Sequence, residues 1–187
     1  MMELELDRAK DCLQRGGVIL YPTDTLWGLG CDATNENAVD RIYQIKKRSD
    51  SKSMLILVAD LEMLESLVET IPDEAHEIIE HSDRPTTIIY PAARNLAANL
   101  LAGDGSIGIR LTSDPFCRSL IRITGRALVS TSANISGEPA PGLFSDISAT
   151  ILSRADYVVN WRRDEQNPAQ PSSIVKIEPD GGFTIIR

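Results

Sequence analysis

Short apolar runs recur along this chain, and the distances between them limit the folds open to it. "VILYP" (18–22), "SMLILVA" (53–59), "TTIIYP" (86–91), "SIGIRL" (106–111) and "ALVSTS" (127–132) are each bounded by Gly, Pro or polar residues. Runs of that length and composition read as strands. Helical periodicity fills the gaps. Leu6, Ala9 and Leu13 share a face over 3–15, and Gly16-Gly17 stops that helix. Val39, Ile42 and Ile45 share a face over 36–47, with Thr34 or Asn35 able to cap it. Residues 61–69, 73–81 (opened by Pro72) and 115–124 also read as helices. "TDTLWGLGCDATN" (23–35) reads as a polar, glycine-bearing turn. After residue 153, "DYVVNW", "SSIVKIE" and "FTIIR" read as closing strands. Several late strands lie too close for helical crossovers. The expectation is an α/β domain with a mixed parallel and antiparallel, twisted sheet flanked by helices.

Size and charge narrow the function classes. A chain of 187 residues suits one domain that buries its own core. A net charge of -8 argues against broad adhesion to nucleic acid or anionic membrane, though not against a local basic site. Cys12, Cys31 and Cys117 are odd in number and form no C-x-x-C pair. They read as reduced thiols in a cytoplasmic protein. The acidic start "MMELELDRAK" has no apolar signal core, and no apolar run approaches the ~20 residues of a membrane span.

Four segments are candidates for chemistry. "RIYQIKKRSDSK" (41–52) holds Arg41, Lys46, Lys47, Arg48 and Lys52. Cations at a helix C-terminus complement its dipole, so a structural reading is available beside an anion site. Lys52 lies past the helix, in a loop entering a strand, where Lys and Arg together suit phosphate. "STSANISG" (130–137) sets hydroxyls and Asn134 after a strand, either as turn chemistry or as a ligand rim. In "YPTDTLWGLG", Gly28 and Gly30 permit unusual backbone or close approach, and Asp24 could help hold nucleotide-bound magnesium. "GDGSIG" (103–108) fits G-x-G-x-x-G, but a strand follows it where a dinucleotide loop needs a helix. Arg110 alternates with Ile109 and Leu111, so it projects from the opposite face to theirs. His76 and His81 are off the spacing of a helical metal pair and read as surface residues.

Taken in order, "VILYPTDTLWGLGCDA", "AVDRIYQIKKRSDSKSMLILV", "SIGIRL", "ALVSTSANISGEPAPG", "QPSSIVKI" and the terminal "IIR" resemble the YrdC/TsaC family. These are the threonylcarbamoyl-AMP synthases of tRNA modification. The resemblance covers nearly the whole chain and implies a single YrdC-like domain over 1–187 with a ligand cleft. The family's K-x-R falls on Lys46 and Arg48, and its S-x-N on Ser132 and Asn134. The resemblance implies that these four act in catalysis. ATP would meet Arg48, Lys52, Ser106, Ser132, Asn134 and Arg187. L-threonine would meet Thr23, Thr25, Arg110, Ser130 and Ser172.

The implied reaction joins L-threonine, bicarbonate or CO2, and ATP, and releases pyrophosphate. Mg2+ would accompany ATP with no dedicated protein site. A tRNA or a t6A transferase would be the downstream partner. Departures from the family pattern are Ser49 in place of proline, "SDRP" (82–85) in place of W-P-G-P, and "PSS" (171–173) in place of P-S-T. Two other readings compete. One is a double-stranded RNA-binding module of the same fold, which the acidic balance disfavours. The other is a Ser/Lys hydrolase using Ser130 or Ser132, which lacks a G-x-S-x-G elbow.

Overall fold

The computed structural model describes residues 1–47, 54–178 and 181–187. Its first element, α1 (Met2–Gln14), buries Leu6, Ala9 and Leu13 and ends at Gly16, whose φ of 75° suits glycine. Two strands, β1 (Ile19–Tyr21) and β2 (Gly28–Gly30), precede α2 (Glu36–Lys46). Asn35, not Thr34, caps α2: its side chain accepts from Ala38 N, while Thr34 bonds Asp32. Next come β3 (Leu55–Val58), α3 (Leu61–Leu67), α4 (Asp73–His81), β4 (Thr86–Tyr90) and β5 (Ile107–Leu111). Then α5 (Pro115–Thr124), β6 (Leu128–Ser132), α6 (Ala149–Arg154), β7 (Tyr157–Val158), β8 (Ser173–Ile177) and β9 (Phe183–Ile185) complete the order. The helix and strand assignments drawn from periodicity hold to within a few residues.

Three expectations change. The 23–35 stretch is not all turn, because β2 runs through it. Its glycines are needed for close approach: a Cβ on Gly30 would meet Val129 O at 2.4 Å and the Tyr21 ring at 2.6 Å. Strand propensity misses such a segment because glycine is poor strand material until a neighbour demands it. "DYVVNW" yields a strand of only two residues, and α6, capped by Ser148, appears where no helix was expected. The rejection of "GDGSIG" as a dinucleotide loop holds: a short 3-10 turn (Ala98–Leu100) precedes it and β5 follows.

Among the described residues the strands form one mixed sheet in the order β7-β1-β2-β6-β3-β5-β4-β8-β9. β3 and β5 are parallel, whereas β6 is antiparallel to both β2 and β3. Alternation divides the core between two faces. Ile19, Tyr21, Leu57 and Leu128 pack beneath α1 and α5, with Leu6, Leu13, Phe116 and Leu120. Leu20, Ile56, Val58, Ile109 and Val129 pack on the opposite face with Val39 and Ile42 of α2. The helices α1 and α5 cover only part of their face, and the uncovered remainder carries the cleft. Among the described residues no helix is long and apolar enough to cross a membrane.

Candidate functional site

Each cleft residue continues a row that is apolar further along the same face. On β6, Leu128 lies under the helices, and Ser130 and Ser132 follow two and four positions on. On β3, Leu57 is core and Leu55 reaches the cleft. On β5, Arg110 pairs across from Leu57, while its neighbour Ile109 belongs to the opposite core. Arg110 therefore projects to the face that its alternation predicts. Thr25, Gly28, Ser172 and Arg187 complete a cavity of ≈ 450 Å3, walled by Pro168 to Pro171. That volume is within the usual range for small-ligand sites.

Arg110 is the dominant charge. Its side chain is 3% exposed, and it lies 2.9 Å from Asp24 Oδ1. It also donates to Thr25 Oγ1 at 3.1 Å. Among the described residues its Nε has no hydrogen-bond partner, nor does Asp24 Oδ1, so the ion pair is close but off hydrogen-bond alignment. A buried guanidinium that lines a cleft is suited to receive a carboxylate. Asp24 is occupied: Thr112 Oγ1 donates to its other oxygen at 3.2 Å. The carboxylate expected to assist magnesium thus serves Arg110 and Thr112.

Hydroxyls surround this charge. Thr23 Oγ1 lies 3.1 Å from Thr25 Oγ1, donates to Leu26 O and accepts from Thr25 N, which fixes the turn. Ser172 Oγ lies 2.9 Å from Thr87 Oγ1, and Arg187 Nε donates to Ser172 O at 3.2 Å. The terminal arginine is thereby tied to the cleft. The nearby Cys117 thiol is no candidate nucleophile. Burial, and then Asp114 and Asp24, push its pKa well up, and its Sγ bonds Pro22 O at 3.4 Å.

Lys46 of the K-x-R segment meets the S-x-N turn. Lys46 is 2% exposed, and its Nζ donates to Ser132 O at 2.5 Å and Asn134 O at 2.8 Å. Asn134 Nδ2 donates to Ile135 O and Glu138 O. These two side chains brace the turn after β6, and Ser132 alone of the three lines the cavity. Arg48 and Lys52 lie outside the described residues. Ser106 precedes β5 on the same face as Arg110, about 13 Å away at strand rise. It does not line the cavity; its Oγ and N both bond Asp104 Oδ1, which holds that carboxyl below its usual range.

Sequence reasoning missed Thr112, Asp114 and Arg162. Asp114 was readable as a helix cap before Pro115, and it does cap α5 through Cys117 N. Arg162 gives no local signal, because its site partners lie 48 and 139 residues away.

A family model for Sua5, YciO and YrdC proteins, described as "Telomere recombination", matches residues 11–187. A threonylcarbamoyl-AMP synthase of Stenotrophomonas maltophilia is 35% identical over 177 residues, 93% of this chain and 94% of that protein. Escherichia coli YciO superposes with a TM-score of 0.83 at 23% identity, covering 100% of this chain and 89% of that one. P. abyssi Sua5 complexed with L-threonine superposes with a TM-score of 0.85 at 24% identity, covering 97% of this chain. This chain spans only 53% of that Sua5.

Proposed function

The chain belongs to the Sua5–YciO–YrdC family, and we propose that it is an L-threonylcarbamoyl-AMP synthase working at the Arg110 cleft. The observation that carries this reading is the buried Arg110 guanidinium, lining a cavity of small-ligand size that hydroxyl side chains share. Relatives named for that activity, such as the Stenotrophomonas maltophilia protein, share the chain over nearly its full length.

Arg110 receives the threonine carboxylate, and Thr25, Ser130 and Ser172 supply hydroxyl contacts. Thr23 orders the turn. The amine, held beside CO2, forms a carbamate, a proximity task that needs no covalent catalyst. A carbamate oxygen then attacks the α-phosphorus of ATP, and the bond to the β-phosphate oxygen breaks as pyrophosphate leaves. Positive charge positioned near the departing phosphates stabilises that change. Arg48, Lys52 and the terminal Arg187 are assigned to it. Ser132 orients the nucleotide directly, and Lys46 and Asn134 act by holding its turn. Ser106, far along the same strand face, suits the remote end of a ligand as long as ATP.

Magnesium would travel with ATP and neutralise its phosphates. Among the described residues no group of three or more His, Cys, Asp or Glu gathers to hold a metal, and Asp24 is already engaged. Three buried free thiols fit a reducing compartment, so we place the reaction in the cytoplasm, with a tRNA-modifying transferase as the acceptor of product. A hydrolase reading gains no support, since the chain has no G-x-S-x-G elbow, and Lys46 Nζ donates to the carbonyls of Ser132 and Asn134.

The test is pyrophosphate release from ATP with magnesium, bicarbonate and L-threonine. Release should require threonine and fall at least about tenfold in Arg110→Ala, the loss of one charge-assisted contact. Threonine-independent release, or full activity in both Arg110→Ala and Arg48→Ala, would sink the assignment. Salt-sensitive RNA binding without turnover would point instead to an RNA-binding module.

A further inference from the structure

The turn that carries Thr23 and Thr25 is clasped from behind by a residue distant in sequence. Arg162 Nη1 donates to Asp114 Oδ2 at 2.6 Å and to Thr23 O at 3.2 Å. Its Nε and Nη2 donate to Glu165 at 2.6 and 3.1 Å. The Arg162 backbone has a φ of 59°, a left-handed conformation that a non-glycine residue keeps only when its surroundings hold it there. Its side-chain bonds supply that hold.

These contacts close a ring. Arg162 reaches Thr23, whose Oγ1 meets Thr25 Oγ1, which accepts from Arg110. Arg110 pairs with Asp24, which accepts from Thr112. Thr112 Oγ1 accepts from Asp114 N, and Asp114 Oδ2 returns to Arg162. Strand pairing fixes where the Arg110 backbone sits but not where its guanidinium points. The ring sets that direction, and Arg162 is the member that ties the 160–165 loop to the turn. The same loop continues into the cleft wall at Pro168 to Pro171.

We propose that Arg162 is a positioning residue for the amino-acid subsite: it fixes the Thr23–Thr25 turn and, through Thr25 Oγ1, aims Arg110 at the substrate carboxylate. This rests on the synthase reading. A residue acting only on overall stability would affect both substrates alike. A positioning residue for this subsite affects threonine alone.

Arg162→Gly is the informative variant, because glycine accepts the left-handed backbone without strain while removing every side-chain bond. Its KM for threonine should rise about tenfold, the scale of one charge-assisted hydrogen bond, with KM for ATP changed less than about twofold. Arg162→Lys keeps the charge with one fewer fixed direction and should recover part of the loss. Equal effects on both substrates, or none on threonine, overturn the proposal. Amide hydrogen exchange of the ligand-free proteins separates this from the synthase reading. Exchange across residues 23–25 should quicken in Arg162→Gly, and unchanged exchange there also overturns the proposal. Wild-type protein that turns over without threonine would overturn the synthase reading, whatever the exchange result.

Discussion

At the scale of single residues, the site depends on where side chains are absent as much as on where they are present. Gly30 faces Ile19 across the β1–β2 pair, and the Tyr21 ring lies over the space a Cβ would occupy. Tyr21 is fully buried, and its hydroxyl donates to Val129 O at 3.0 Å, so it cannot swing away cheaply. Neither obstacle to a new methyl group is flexible: one is backbone and the other a locked ring. Gly30→Ala should therefore destabilise the fold by about 1–3 kcal/mol, the usual cost of overpacking a filled interior. Urea unfolding would measure it, and an unchanged midpoint would mean that β2 can shift without cost. Gly108 lies between Ser106 and Arg110 on the cleft face, where a Cβ would meet the Thr87 methyl at 3.0 Å. Lys46 carries a different lesson. Removing its ammonium strands two carbonyls of the Ser132–Asn134 turn, so lost activity in Lys46→Ala would report a displaced turn as readily as a lost phosphate contact.

At the scale of elements, Asp156 joins three of them. Arg41 of α2 donates to both its oxygens, at 2.6 and 2.9 Å, and Val18 N, just before β1, donates at 2.7 Å. Asp156 itself leads into β7. The Arg41 hydrogen bonds hold its carboxyl below the ordinary carboxylate pKa, outweighing the opposing effect of burial. A depressed pKa in the folded state stabilises above the unfolded value of about 3.9 and is lost as pH falls through the folded value. The side chains are 42% and 37% exposed, so solvent screening limits the ion pair to about 0.2–1 kcal/mol. Urea midpoints from pH 7 to 3 should show wild type above Asp156→Asn near neutrality, with the two curves converging below pH ~4. A constant gap would assign the difference to packing. Elements of this kind were legible where each carried its own signal. The apolar runs revealed β3 to β6, the 3.6 period revealed α1 and α2, and alternation put Arg110 opposite Ile109 and Leu111, while its tie to a ligand came from the family resemblance. β2 was not legible, because its glycines answer to Tyr21 and Val129 in other strands. Nor was the Arg162–Asp114–Thr23 clasp, since its members are brought together only by the closed fold.

At the scale of the whole molecule, the sheet is shared by two cores, and the cysteines sample both. Cys12 and Cys117 pack beneath α1 and α5, whereas Cys31 packs on the α2 face. All three are free and buried, and burial is the leading cause that raises the pKa of each. Little thiolate forms near neutral pH, so each thiol needs an opening of the structure before it reacts. The two cores are joined by strands with a residue in each. Leu128 faces α1 and α5 while Val129 faces α2, and Leu57 and Ile56 divide in the same way. Lifting the α1–α5 layer alone would bare Ile19, Tyr21, Leu57 and Leu128, each fully or almost fully buried, at about 1.5–3 kcal/mol per side chain. That cost is large against the 5–15 kcal/mol of a typical domain, so opening of one layer approaches opening of the whole. Labelling of the native protein with a thiol reagent across a urea series should thus give one shared urea dependence for all three cysteines. Cys12 and Cys117 reacting at lower urea than Cys31 would instead show that the helical layer beside the cleft detaches as a unit of its own.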